Sequence, residues 1–180
     1  MLNAYGYGKT PVDRSGFRAL LMLVAVTALA FVGVGAAQGA TDGDKFKEWT
    51  MRCEAPEGAQ QVCHIFQVAK DKETGQDIVH IAIGYRADLP DPLAIISVPL
   101  GIFLPPGVSL QIDEGNPVRA PYEVCDRDAC RAGFPLSGEM VSSLKGGLSL
   151  KVTLENPLGE KITLPVSLSG FTAGLNALAN

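Results

Sequence analysis

The 180-residue sequence predicts a mainly β protein, an antiparallel sandwich or barrel, behind an apolar N-terminal leader. About nine short segments after the leader show the apolar patterns of strands, and proline- and glycine-rich turns separate them. Four cysteines fall in two close pairs, which suits neighbouring strands joined by disulfides.

Residues 1–40 are predicted to be a signal peptide or an N-terminal membrane anchor. Three basic residues precede 19–34, a stretch without charge. A basic region, an apolar region and then small residues are typical of an export signal, and cleavage is expected within 36–40. Because 17–37 is also long enough to span a bilayer as one helix, a retained anchor remains the alternative.

Residues 41–180 are predicted to form one domain. A domain of this length buries about two-thirds of the surface of its unfolded chain, so it needs neither a metal nor a second domain to fold. The whole chain has 15 Lys and Arg against 19 Asp and Glu. No dense basic run follows the leader, which argues against nucleic-acid binding.

The first three strands are predicted at 46–53, 62–69 and 77–85. In the first of them Trp49, Met51 and Cys53 share one face, as period-two patterning requires of a half-buried strand. We expect Trp49 to be a core aromatic rather than a binding platform.

The segment 93–110 is the most apolar after the leader, and its prolines argue against a transmembrane helix. It is predicted to form two core strands, 94–103 and 108–112, joined by a turn at 104–107. Pro99 would then require an edge position or a bulge.

The second half of the domain is predicted to contain four more strands and two helices. Strands at 118–124 and 129–134 flank the second cysteine pair, and a helix over 137–145 begins at the N-cap Ser137. Strands at 148–155 and 162–168 alternate strictly and are joined by a type I turn at Asn156-Pro157-Leu158-Gly159. A terminal helix is indicated by Phe171, Leu175 and Leu178 at helical spacing.

The cysteine spacing predicts the disulfides Cys53–Cys63 and Cys125–Cys130, because thiols oxidise in exported proteins. The alternative is a zinc site built from these cysteines and His64. Structural zinc sites usually space their cysteines by two to four residues, which this sequence does not do, and oxidation removes the thiolates. We therefore expect no metal and no cofactor.

The candidate catalytic residues are few. His64 and His80 alternate with apolar residues in predicted strands, so packed or surface histidines without chemistry are expected. Serine-hydrolase, metalloprotease and phosphate-loop motifs are absent from the sequence. The charged stretch 126–128 is expected to be a solvated hairpin tip.

The sequence resembles the invasion-associated locus B family of exported bacterial proteins over nearly the whole chain after the leader. The matching pieces are Trp49-Thr50-Met51-Arg52-Cys53, Val98-Pro99-Leu100-Gly101-Ile102-Phe103-Leu104-Pro105-Pro106-Gly107, Tyr122-Glu123-Val124-Cys125 with Cys130, and Val166-Ser167-Leu168-Ser169-Gly170-Phe171. The resemblance implies an immunoglobulin-like β-sandwich and a periplasmic or outer-surface location. It also implies a link, through the family's namesake, to host-cell entry, and it supplies no catalytic motif.

The function predicted from the sequence is that of a non-enzymatic, exported cell-envelope protein that acts through protein–protein contact. Its partner would be a protein in the envelope or on a host cell. One alternative is an accessory subunit of a membrane complex, tethered to the inner membrane by 17–37. The other is a periplasmic small-ligand binder or enzyme, which a cleft with buried, pKa-shifted groups would favour.

Overall fold

The computed structural model describes residues 41–55, 58 and 60–179. The predicted signal peptide or anchor therefore lies outside the described residues. Within the described part of the chain, no helix is long and apolar enough to cross a membrane.

The described residues form eleven strands in two antiparallel sheets, with two short helices. The strands are β1 (Lys45–Phe46), β2 (Trp49–Glu54), β3 (Val62–Lys70), β4 (Asp77–Gly84), β5 (Leu93–Val98), β6 (Val108–Ile112), β7 (Val118–Ala120), β8 (Val124–Cys125), β9 (Cys130–Pro135), β10 (Ser149–Glu155) and β11 (Lys161–Ser167). The helices are α1 (Gly138–Gly146) and α2 (Phe171–Leu178). The predicted mainly β class, with a short C-terminal helix, is confirmed.

The larger sheet has seven strands in the order β1-β2-β3-β4-β5-β9-β8, and the smaller has four in the order β11-β10-β6-β7. Consecutive strands β1 to β5 are neighbours because short turns connect them. Period-two alternation places one set of side chains from each sheet in a shared core. Its largest fully buried members include Trp49, Met51, Ile65, Ile81, Ile83, Ile96, Leu150 and Leu154.

Polar contacts also join the two sheets at the end of β11. The side chain of Gln67 donates to the Ser167 carbonyl (3.0 Å) and accepts from the Ser167 amide (3.0 Å). The indole N–H of Trp49 donates to the same carbonyl at 2.9 Å. These bonds satisfy backbone groups of an edge strand that would otherwise lie unpaired beside the core.

Both helices lie on the core side of the larger sheet. Helix α1 begins at the predicted cap, where the Ser137 hydroxyl accepts from the Met140 amide at 3.3 Å. Helix α2 buries Phe171 edge-on against Trp49, with ring centroids 5.4 Å apart. The helix starts after Gly170, whose φ of 92° suits glycine and at which a Cβ would collide with the Phe46 carbonyl.

The structure corrects the prediction in the apolar segment 93–110. The strand expected at 94–103 ends at Val98, because Pro99 has no amide to continue the ladder. The following loop exposes Leu100, Phe103 and Leu104, so this part does not fill the core as expected. The stretch predicted as one strand at 118–124 is interrupted and forms β7 and β8, which with β1 explains the larger strand count.

Candidate functional site

The most distinctive surface is the outer face of the seven-stranded sheet, which points away from the four-stranded sheet. Cross-strand pairing places Arg52 beside His64, Phe66 beside Ala82, and Ala82 beside Ile95. The other residues that these registers place on the outer face include Thr50, Glu54, Val62, Val68, His80, Gly84, Leu93, Ser97, Arg131 and Gly133. Because the two described helices pack on the core side, neither of them covers this surface.

An aromatic cluster occupies the centre of the outer face. The rings of Phe66 and His80 stack with centroids 5.3 Å apart and planes inclined by 22°. His64 lies on the other side of Phe66, at a centroid distance of 6.3 Å. The Arg52 guanidinium carbon stands 5.9 Å from the Phe66 ring centre, within cation–π range. Strand pairing brings these side chains together, since diagonal neighbours on adjacent strands lie within reach of aromatic rings.

Both histidines resist protonation. Partial burial lowers the pKa of His64, with Arg52 acting in the same direction and Glu54 and Asp42 acting against it. Partial burial also lowers the pKa of His80, and the nearby His64 adds to this effect. With values below the ordinary pKa near 6.5, the two rings are mainly neutral at pH 7.

A shallow groove of about 390 Å³ runs along the outer face. It is lined by apolar strand residues and by four basic side chains, His64, His80, Arg86 and Arg131, without an acidic residue in the lining. Two carboxylates hold the arginines from outside the groove. Asp88 accepts from Nε and Nη2 of Arg86 at 3.0 and 2.7 Å, and Asp126 accepts from Nη1 of Arg131.

A second cleft of about 380 Å³ opens beside α1, between the two sheets. Its lining is mostly core side chains, with Met140 and Val118 nearer the surface and Glu139 as the only ionisable member. This cleft could take a small apolar group. A single carboxylate without a titratable partner provides no pair for general acid–base chemistry.

The predicted cysteine pairs are placed as expected. Cys53 and Cys63 are direct partners across β2 and β3, with sulfur atoms 2.10 Å apart. Cys125 and Cys130 are direct partners across β8 and β9, at 2.02 Å. The structure therefore gives these four residues a cross-strand role, and they supply no ligands for the alternative zinc site.

Sequence reasoning placed each histidine in a strand and missed that they share one surface. The signal was present in β3, where Val62, His64, Phe66 and Val68 alternate with the core residues. From residue 62 to 69 this strand carries no Asp, Glu, Lys or Arg on either face, a pattern typical of burial on both sides. Which neighbours complete the surface depends on the register of β4, β5 and β9, which no local pattern specifies.

The other residues discussed from the sequence have structural roles. Trp49 is fully buried, as expected of a core aromatic, and Asp126 lies at an exposed hairpin tip. There the Arg131 side chain, followed by the amides of Asp128 and Ala129, lowers the pKa of Asp126 to about 2. Gly107 is required because a Cβ there would collide with the Ala120 carbonyl, and its φ is 70°.

The chain matches known proteins along most of its length. The family model described as "Invasion associated locus B (IalB) protein" matches residues 49–179. Two proteins named invasion protein B homologs, from Brucella abortus strain 2308 and from Brucella abortus biovar 1 strain 9-941, are each 24% identical over 172 residues, or 90% of this chain and 95% of theirs. The crystal structure of invasion associated protein B from Bartonella henselae superposes with a TM-score of 0.65 and 25% identity, covering 76% of this chain and 93% of that chain.

The family model covers every strand and helix described above except the short first strand β1. The chain belongs to the invasion-associated locus B family.

Proposed function

We propose that this protein is an exported, non-enzymatic component of the cell envelope that works by contact with another protein through the outer face of its seven-stranded sheet. The partner would be a protein of the envelope or of a host cell. The observation that carries the proposal is the outer face itself, a surface that neither described helix covers, with Phe66 at its centre and arginines around it.

The location is supported by the cysteine chemistry. All four cysteines of the chain are joined in two disulfides. Disulfides persist in oxidising compartments such as the periplasm and cell surface and are rare in the cytosol. The leader expected from residues 1–40 would deliver the chain to such a compartment.

The contact role is supported by comparing the outer surfaces of the two sheets. On the four-stranded sheet, Thr153 and Thr163 hydrogen-bond at 2.9 Å and Lys151 pairs with Glu114 at 2.8 Å. That polar surface is an ordinary solvated one. The outer face of the larger sheet instead combines aromatic and arginine side chains, the residue types that are enriched at protein–protein interfaces.

Site-specific photo-crosslinking in intact cells tests the proposal. p-Benzoylphenylalanine at Ile95 would place the reactive group in the groove, and the same substitution at exposed Thr163 is the control on the other sheet. We expect a protein adduct of defined mass from Ile95 and none from Thr163. Identical adduct patterns, or no adduct from Ile95 in correctly folded exported protein, would refute the contact role.

A second candidate, binding of a small apolar ligand, is favoured by the cleft beside α1. Native mass spectrometry of protein isolated from its own envelope would detect a retained small molecule. Met140→Trp would fill the cleft, so a ligand held there must be lost in this variant. Retention of the same ligand by Met140→Trp would exclude the cleft as its site.

A further inference from the structure

The residues that line the groove on the outer face indicate what kind of partner segment it can bind. The floor is apolar, formed by Ala82, Leu93 and Ile95, and the charged lining residues are all basic. This inference rests on the proposed contact function and specifies the chemistry of the partner.

Both groove arginines keep donors that can bind a ligand. Arg86 uses Nε and Nη2 for Asp88, which leaves Nη1 without a partner among the described residues. Arg131 uses Nη1 for Asp126, which leaves Nε and Nη2 without one. Guanidinium groups bind carboxylates through paired N–H donors, so an incoming carboxylate can share each arginine with the aspartate already there.

The dimensions of the face suit an extended chain segment. His64 on β3 and Arg131 on β9 lie three strand-to-strand steps apart, through β4 and β5, and are also offset along the strands, because the register places Arg131 level with Val68. Three steps of about 4.8 Å across the strands and four residues of about 3.4 Å along them give about 20 Å, the length of roughly six extended residues. Such a segment can place apolar side chains over the floor and carboxylates at the arginines.

We propose that the groove binds a partner segment in which acidic side chains flank apolar ones, and that protonation of His64 and His80 strengthens the contact. Neutral histidines leave the arginines as the only cationic groups in the lining. Protonation of the two histidines adds two positive charges beside the bound carboxylates. A purely apolar partner would instead disfavour protonation, because it would bury the rings further.

The charged surroundings of the histidines set the background for this effect. On the β2 side they are Arg52, Glu54 and Asp42, and from β4 Asp77 faces His80. From β9 Arg131 acts on His80. The remaining charged groups near the groove are Arg86 with its partner Asp88, Asp126 beside Arg131, and Glu123, whose carboxylate lies against Gly133. Burial is the largest influence on the pKa of both histidines, so a partner that covers the face or brings charges to it changes how readily the rings are protonated.

The test is an NMR titration with a synthetic probe peptide, acetyl-Asp-Ala-Leu-Ala-Phe-Ala-Asp-amide, against its neutral counterpart acetyl-Asn-Ala-Leu-Ala-Phe-Ala-Asn-amide. The chain contains two histidines, so both sets of imidazole signals report on this face. We expect the acidic peptide to bind about fivefold more tightly at pH 5.5 than at pH 7.5, as two added charges at a partly exposed site would give. The neutral peptide should show no such gain.

Binding measurements on variants test which groove residues are responsible for peptide binding and for its pH dependence. Arg131→Gln should weaken binding of the acidic peptide at both pH values, while Arg119→Gln, on β7 of the other sheet, should not. The double variant His64→Gln, His80→Gln should bind but lose the gain at pH 5.5. Amide spectra must show that each variant keeps the wild-type fold.

The outcomes separate this inference from the proposed function. Equal affinity for the two peptides, or weaker binding of the acidic one at pH 5.5, would overturn the acidic-partner inference. No binding of either peptide, with a crosslink from Ile95 retained, would overturn the inference and leave the contact function standing. Peptide binding without any crosslink in cells would support the groove chemistry and refute the contact function.

Discussion

Replacing Phe171 by alanine should destabilise the domain more than any single surface change. The ring is fully buried and packs edge-on against Trp49 at 5.4 Å. Truncating a buried phenylalanine costs about 3–5 kcal/mol, through lost transfer free energy and the cavity that remains. Against a typical domain stability of about 5–15 kcal/mol, this is a large fraction of the free energy of unfolding.

The consequence extends to the whole of helix α2, which has eight residues. A helix this short does not persist in water by itself, so it depends on Phe171 and Leu175, both buried against the sheet. Phe171→Ala should therefore also lower the helical signal of α2 under conditions in which the sheets remain folded.

Urea unfolding followed by circular dichroism measures the effect, with Asn176→Ala as the control in the same helix. Asn176 is exposed and accepts a surface hydrogen bond from Lys145, so its loss should change stability by no more than about 0.5 kcal/mol. Equally small effects for the two variants would refute the docking of α2 and would make Phe171 a candidate contact residue.

Four further predictions concern the disulfides, the histidines, metal binding and the leader. Non-reducing peptide mapping of exported protein should recover the two described disulfides, and replacing Cys125 and Cys130 by serine should lower stability by about 2–3 kcal/mol, the expectation for a short closed loop. The pKa values of His64 and His80 are lowered in the folded state, so the unfolded chain binds more protons as the pH falls. The free energy of unfolding should therefore be highest above pH 6.5 and should decrease as the pH drops through the folded-state pKa values. The double variant His64→Gln, His80→Gln should lose less stability than the wild type between pH 7.5 and 5.5. Chelator treatment should leave the melting temperature unchanged. Intact mass of the exported protein should show cleavage within 36–40.

Each of these has a contradicting result. Crossed disulfides or free thiols would refute the cysteine pairing, and wild-type pH dependence in the double glutamine variant would mean that other groups control acid stability. A large fall in melting temperature on chelation, reversed by zinc, would show that a metal is required after all. A full-length mass in the membrane fraction would replace the cleaved leader by a retained anchor.

Local patterns were sufficient for most of the secondary structure. Strand β10 alternates strictly and was predicted to within one residue, because the period of its side chains is a property of the strand alone. Helix α1 was predicted from Ser137 and the spacing of its apolar residues, and Phe171 marked the start of α2. The cysteine pairs were predicted for a similar reason, since short hairpins place their ends opposite each other.

Predictions were weaker where long-range contacts decide the conformation. Strand β5 ended early at Val98, before Pro99, and the apolar residues Leu100, Phe103 and Leu104 after it proved to be exposed, which their own pattern did not indicate. Gly170 looked like one residue of a family motif. Its requirement for a bare backbone comes from the Phe46 carbonyl, which lies more than a hundred positions earlier in the chain.

The sequence by itself determined the mainly β class, the positions of most strands and helices, and the pairing of the cysteines, since each depends on residues no more than about ten positions apart. Tertiary structure alone decided the candidate site. His64, Phe66 and His80 meet because β3 and β4 pair in one register, and Arg131 joins them only because β9 is inserted beside β5. A shift of one residue in that pairing would turn these side chains into the core, and no local pattern could have excluded it, because register is specified by burial across the whole sheet.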